Sequence, residues 1–274
     1  MSPLREVALL VERELVRNVR SAKGVVLALL CLLGGIGTTL AGVSTTRLYE
    51  KADAQQVHHL RQQALSAAYG DEIGKYLADA PEVMYAMMAG TIGLAALLAT
   101  LIGFDAISAE LQHRGVRYWT VRTRRASYVA GKFFGLFAVA SAMTLLMHVC
   151  SWAAIAAKTD LTLPVIASWG LRFWLVTLPV SAAWCGVVTF FSALFRTPIV
   201  ALLVACLAWM ALGFTYFIGK ITERDALTWL YPNGFDRLLL SPSADKLLGG
   251  VAASLGFAAL FVAAAVVIFQ QRDV

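Results

Sequence analysis

Residues 24–43, GVVLALLCLLGGIGTTLAGV, carry no charged side chain. A helix of about 20 residues rises about 30 Å, the thickness of a bilayer's hydrocarbon core. Five more uncharged runs follow, at about 83–104, 133–157, 173–195, 198–219 and 247–269. Lipid offers backbone N–H and C=O groups no partner, so such runs must close their hydrogen bonds internally. The sequence therefore predicts an all-α integral membrane protein with six transmembrane helices, one domain over residues 1–274. Composition agrees: 59% of residues are hydrophobic and 15% charged, against about 25% charged in soluble domains.

Polar segments separate the runs and fix their order across the membrane. Residues 105–132, between the second and third runs, carry Arg114, Arg117, Arg122, Arg124, Arg125 and Lys132 against Asp105 and Glu110. Six spans put both termini and this loop on one side. That side holds thirteen of the 23 Lys and Arg residues, packed into short flanks, and flanks of this kind face the cytoplasm. A net charge of +6 would suggest nucleic acid in a soluble chain. Here the basic residues set topology and meet anionic headgroups, so membrane lipid is an expected partner and nucleic acid is not.

Residues 2–20 read as an amphipathic helix, with Ser2 as cap and Pro3 in the first turn. Leu4, Ala8, Val11, Leu15 and Val19 form one stripe; Arg13, Arg17 and Arg20 lie off it. Such a helix suits the membrane interface, stripe in acyl chains and arginines toward phosphates. An ordinary solvated helix is the plainer alternative. In the first span, Gly34, Gly35 and Gly37 would let another helix approach closely.

Residues 44–82 form an outer polar segment, helical from Tyr49 to Leu77, with Tyr69, Ile73, Tyr76 and Leu77 on one face. It offers a surface to an outer partner. His58 and His59 there point about 100° apart, poor geometry for a shared metal. Residues 158–172, with Trp169 and Arg172, suit the outer interface. Pro179 should kink the fourth span or free carbonyls within it. In residues 220–246, Pro232-Asn233-Gly234 marks a turn between two apolar patches too short to span, which predicts a partly re-entrant hairpin.

The chain lacks the motifs that carry catalysis. Gly213 to Lys220 has one residue too many for a phosphate-binding loop, and Ile221 stands where a hydroxyl is needed; Ala130-Gly131-Lys132 follows no strand. There is no His-Glu-x-x-His. His148 is the one ionisable residue inside a span; it is a functional candidate, or it bonds a nearby carbonyl or serine. No carboxylate shares its span, so a triad has no support. Cys31, Cys150, Cys185 and Cys206 all sit in apolar runs without a Cys-x-x-Cys pair, and read as packing residues rather than a disulfide or metal set. No metal, cofactor or enzymatic activity is expected of this chain, and the energy source must lie on a partner.

This arrangement resembles the permease subunits of type-2 ATP-binding-cassette (ABC) exporters. Those have an amphipathic elbow helix, six spans, a cytoplasmic coupling helix between spans two and three, and a partly re-entrant outer segment between spans five and six. Residues 2–20, the six runs, 105–132 and 220–246 match in order. The loop carries the most specific likeness: Asp105, Glu110, Gly115, Arg124-Arg125 and Gly131-Lys132. It departs at Thr123, where the family often has proline, and at Arg117 to Trp119, where many members are aliphatic.

The resemblance implies separate cytoplasmic ATPase subunits that hold ATP and Mg, a second permease chain (identical or related), and a bacterial inner-membrane location. It also implies contacts with the ATPase at Glu110, His113, Arg114 and Arg117. Two other readings stay open. One is a polytopic membrane enzyme acting on lipid or peptide through His148. The other is an assembly subunit that transports nothing.

Overall fold

The computed structural model describes residues 2–49 and 54–272. Part of the expected outer helix, residues 50–53, and the last two residues of the tail lie outside the described residues. Thirteen α-helices and one 3-10 turn make up the described chain, with no strand among the described residues.

Six helices are long and apolar enough to cross a membrane: α2 (Ala22–Tyr49), α5 (Glu82–Gly103), α8 (Arg125–Lys158), α9 (Leu163–Leu194), α10 (Pro198–Ile221) and α13 (Ala244–Gln270). Two begin well before the apolar run that announced them. Helix α8 starts at Arg125 rather than about 133, because Tyr128, Val129 and Lys132 are buried and keep the polar stretch packed as helix. Helix α9 starts at Leu163 rather than about 173. Pro164 fits its first turn, and Gly170 lies so close to α8 that a Cβ would meet the Trp152 ring at 2.6 Å. The segment expected at the interface is thus mostly the start of α9.

Helix α9 is the centre of the bundle: 72% of its apolar window is buried, against 11% for α10 and 17% for α13. It runs unbroken through Pro179. Around that proline, Thr177 Oγ1 donates to the Trp174 carbonyl (2.7 Å) and Ser181 Oγ to the Thr177 carbonyl (2.9 Å). Of the three glycines expected to admit a neighbour into α2, Gly35 does so: a Cβ there would lie 2.4 Å from the Met147 carbonyl oxygen. Gly37 has nothing within 4 Å.

At the end of the bundle away from the basic loop, α3 (Ala54–Tyr69) and α4 (Asp71–Ala78) form a hairpin turned at Gly70, whose φ of 95° suits glycine. Ile73 and Leu77 are buried beneath it, with Tyr69 and Tyr76 half-buried beside them. After α10 the chain makes α11 (Asp225–Thr228), the 3-10 turn Pro232–Phe235 and α12 (Asp236–Leu239). Asn233 goes into the bundle. Its Oδ1 accepts from Trp184 Nε1 (2.8 Å) and its Nδ2 donates to the Ile92 carbonyl (3.0 Å). Ile92 lies about 15 Å along α5 from Glu82, so the turn dips deep between α5 and α9.

Candidate functional site

The basic loop folds over a small core of its own. Leu10, Ile107, Val116, Tyr128, Val129, Ala193, Ala265 and Phe269 form an apolar cluster separate from the main one. The loop does not form one continuous helix. Ala106 and Ile107 are buried, and two short helices follow, α6 (Ser108–Gln112) and α7 (Val116–Thr120). Arg114, between them, has φ 58°, a left-handed conformation uncommon outside glycine. The bend leaving α5 is held by Ser192 of α9, whose Oγ accepts from the Ile107 N–H (2.9 Å) and donates to the Phe104 carbonyl (3.0 Å).

Under this loop lies α1 (Pro3–Arg20), and its protein-facing side is polar. Glu6, Leu10, Glu14 and Asn18 recur every four residues, so they share one face, and all four are buried. The apolar stripe points away at its ends, with Leu4 83% exposed and Val19 72%, while Leu15 in its middle packs against the main core. Close approach to α8 needs glycine. A Cβ at Gly131 would meet Leu10 Cβ at 2.5 Å, and one at Gly135 would meet Glu14 Cβ at 2.6 Å.

Lys132 sits between those glycines, 1% exposed. Its Nζ is 2.6 Å from Glu14 Oε1 on α1 and 2.6 Å from Glu110 Oε1 on α6. Tyr128 donates its hydroxyl to Glu110 Oε2 (2.8 Å) and stacks on Phe269. Arg13 reaches Glu110 Oε1 at 3.4 Å while lying 4.0 Å over the Trp119 ring. Arg17 pairs with Glu14 Oε2 at 2.6 Å. A buried ammonium is tolerable only when its charge is matched and it is hydrogen-bonded; Lys132 faces two carboxylates, gives each a hydrogen bond and so joins three elements.

Glu6 closes the upper edge. Its Oε2 accepts the Arg124 N–H (3.1 Å) at the start of α8. The Ser127 hydroxyl first, and then that N–H, hold its carboxyl below the usual carboxylate range, as expected at a helix N-terminus. Two further ties flank the site. Lys23 pairs with Asp105 at 2.6 Å, and Arg125 donates to the carbonyls of Gln270 (2.7 Å) and Arg272 (3.0 Å).

The four residues picked from sequence therefore separate. Glu110 turns inward into the cluster, its side chain 12% exposed. His113, Arg114 and Arg117 are exposed on the loop's outer surface. Tyr118 and Val121 are exposed beside them, 53% and 86%, with Arg122 stacked 4.3 Å over the Tyr118 ring. Glu14, Glu6, Tyr128 and Lys132 were not picked; the four-residue spacing of Glu6, Leu10, Glu14 and Asn18 was the available signal.

His148 Nδ1 is 2.8 Å from the Thr144 carbonyl. A carbonyl can only accept, so this nitrogen carries the proton. Nε2 is buried without a partner, which leaves the enzyme reading without a base–nucleophile pair. Among the described residues no group of three His, Cys, Asp or Glu could hold a metal. His58 and His59 are both exposed on α3.

The sequence profile of the ABC-2 family transporter proteins matches residues 8–226. The chain belongs to the ABC-2 transporter family. The matched stretch takes in Arg13, Glu14, Arg17, Glu110, Tyr128 and Lys132, so the whole ionic cluster lies within the family region. With six apolar helices, this ABC-2 protein is a multi-pass membrane permease component of an ABC transporter. Membership of that family implies association with an ATP-binding-cassette subunit. No curated protein sequence matches the chain.

Proposed function

We propose that this permease is the membrane half of an exporter, driven through residues 105–132 by a separate ATPase subunit that binds ATP and Mg. The observation that carries the reading is Lys132. One buried ammonium ties the loop (Glu110), the amphipathic helix α1 (Glu14) and the long helix α8 into one unit. A push on the loop is therefore passed to α8 and α1 rather than absorbed by a hinge.

In this reading α1 is the elbow helix, its Leu4–Val19 stripe in the inner interface. The loop and both termini face the cytoplasm of a bacterial inner membrane, and α6 with α7 serves as the coupling helix. His113, Arg114 and Arg117 meet the ATPase from the loop's exposed side. Glu110 acts from within, holding the loop to Lys132. A second permease chain, identical or related, completes the path, and the α3–α4 hairpin offers a surface to an outer partner.

The test is a reconstituted permease–ATPase complex carrying Lys132→Met. Glu110 and Glu14 lose their shared cation, and the expected result is ATP hydrolysis that persists while transport per ATP falls at least about tenfold, a loss of 1.4 kcal/mol in coupling. Transport that stays proportional to hydrolysis would reject the proposal. Cysteine cross-linking between Val121 and the ATPase subunit, trapped only in the intact complex, tests the docking side directly.

A further inference from the structure

An open groove of about 420 Å3 runs between α9 and α13, at the end of the bundle away from the basic loop. Leu175, Val176, Leu248 and Val251 line its walls, and Leu175 and Leu248 are 49% and 65% exposed. The lining on α9 extends from Ser168 to Pro179, about 16 Å of helix. That is roughly half of the ~30 Å hydrocarbon core, the depth of one leaflet.

Arg172 is the one charged residue in this lining. Its Nη2 donates to the Ser241 carbonyl (3.2 Å), which lies just before α13, and its guanidinium stands 4.5 Å over the Tyr76 ring. The head thus reaches toward the end of the bundle while its stem follows the groove. No carboxylate of the described residues pairs with it; nearby Lys246 already has Glu72 at 2.5 Å. A cation at the edge of lipid without a counter-charge is costly. Its remaining donors form the planar fork that matches phosphate oxygens. A comparable groove of about 380 Å3 beneath α1, α2 and α8 has no charged lining residue, so of these two grooves it is the α9–α13 one that pairs an acyl-length channel with an anion receptor.

We propose that this groove holds one phospholipid of the adjoining leaflet, one acyl chain along α9 and α13, selected for an anionic headgroup by Arg172. The proposal does not depend on how the loop at the far end is driven.

The test uses the full chain in nanodiscs of phosphatidylcholine doped with phosphatidylglycerol, followed by native mass spectrometry of the released protein. Wild type should retain one phosphatidylglycerol with a preference of about tenfold over phosphatidylcholine. Arg172→Gln should bring that preference to about one, and Arg172→Lys should keep part of it. Val251→Trp, which fills the groove and leaves Arg172 in place, should abolish retention of both lipids. Equal retention of the two lipids by wild type, or unchanged selectivity in Val251→Trp, overturns the proposal. So does displacement of the lipid by millimolar inorganic phosphate, which would mark a free-anion site.

Discussion

The two ends of this bundle are fastened by different chemistry. At the loop end, α1, α6 and α8 meet through charges: Lys132 with Glu14 and Glu110, Arg13 and Arg17 behind them. From the other end, the 232–235 turn reaches mid-bundle and joins α5 to α9 through one neutral amide, Asn233, between Trp184 and Ile92, while the ion pair at that end, Lys246–Glu72, is exposed. A neutral hydrogen bond holds one geometry and responds little to its surroundings. A buried ionic cluster adds little net stability, but it is costly to leave incomplete. The ionic contact is therefore the one more sensitive to charge around it, and the Asn233 contact the less sensitive one.

The largest effect should come from breaking the ionic end by halves. Lys132→Met leaves two carboxylates facing each other without their cation and should cost about 3–5 kcal/mol, read as a lowered unfolding midpoint in detergent. Replacing Lys132, Glu14 and Glu110 together by apolar residues should recover most of that stability. If the single and the triple variants lose the same amount, the cluster is not ionic in its energetics. Asn233→Ala should come next, at about 1–3 kcal/mol for the orphaned Trp184 indole N–H, with no dependence on ionic strength.

The two ends should also answer acid with opposite sign. Burial pushes Asp236, in the connection beside the Asn233 turn, up to about 6. A raised carboxyl favours folding below its unfolded value near 4, and that contribution is lost as pH rises through about 6. Amides of the 220–246 segment, once corrected for the intrinsic pH dependence of exchange, should thus be more protected at pH 5 than at pH 7.5, and Asp236→Asn should remove that difference in protection. Glu6 is lowered, so its contribution is present at neutral pH and lost as pH falls below about 4 and through its folded value. Amides at the start of α8 should then open first in acid. Matching pH profiles at the two ends would remove this contrast.

The smallest stability change should come from Arg114→Gly. Glycine relieves the left-handed backbone at φ 58° but frees the unfolded chain, so stability should shift by less than about 1 kcal/mol. A fall in transport with an unchanged unfolding midpoint would then assign a partner contact to the guanidinium itself.

The six spans were legible because an uncharged run of some twenty residues has few other fates. Their order of burial was not. Helix α9 has the lowest mean hydropathy of the six, 1.7, and is the most buried; α13 has the highest, 2.5, and is largely exposed. In lipid, an apolar side chain is equally content facing a tail or a neighbouring helix, so apolarity does not say which way a helix faces. The ionic site was hidden for a related reason. Apolar periodicity along residues 2–20 marks the Leu4–Val19 stripe and carries no information about Glu6 and Glu14. Lys132, one residue before an apolar run, was read as the end of a loop. Pro232-Asn233-Gly234 was legible as a turn, but Trp184 and Ile92 are too distant in sequence for local pattern to pair them with Asn233.

The polar inner face of α1 also bears on how the chain is made. Synthesis delivers Glu6 and Glu14 long before it delivers Gly131, Lys132 and Gly135. In that interval the first helix has only the bilayer surface to rest on, greasy stripe down and carboxylates in water. It can settle into its final seat only after α8 has threaded with its lysine on the same side. The pairing thereby acts as a late check on insertion, because a chain in which α2 or α5 fails to cross leaves the acidic helix and its lysine on opposite sides of the membrane.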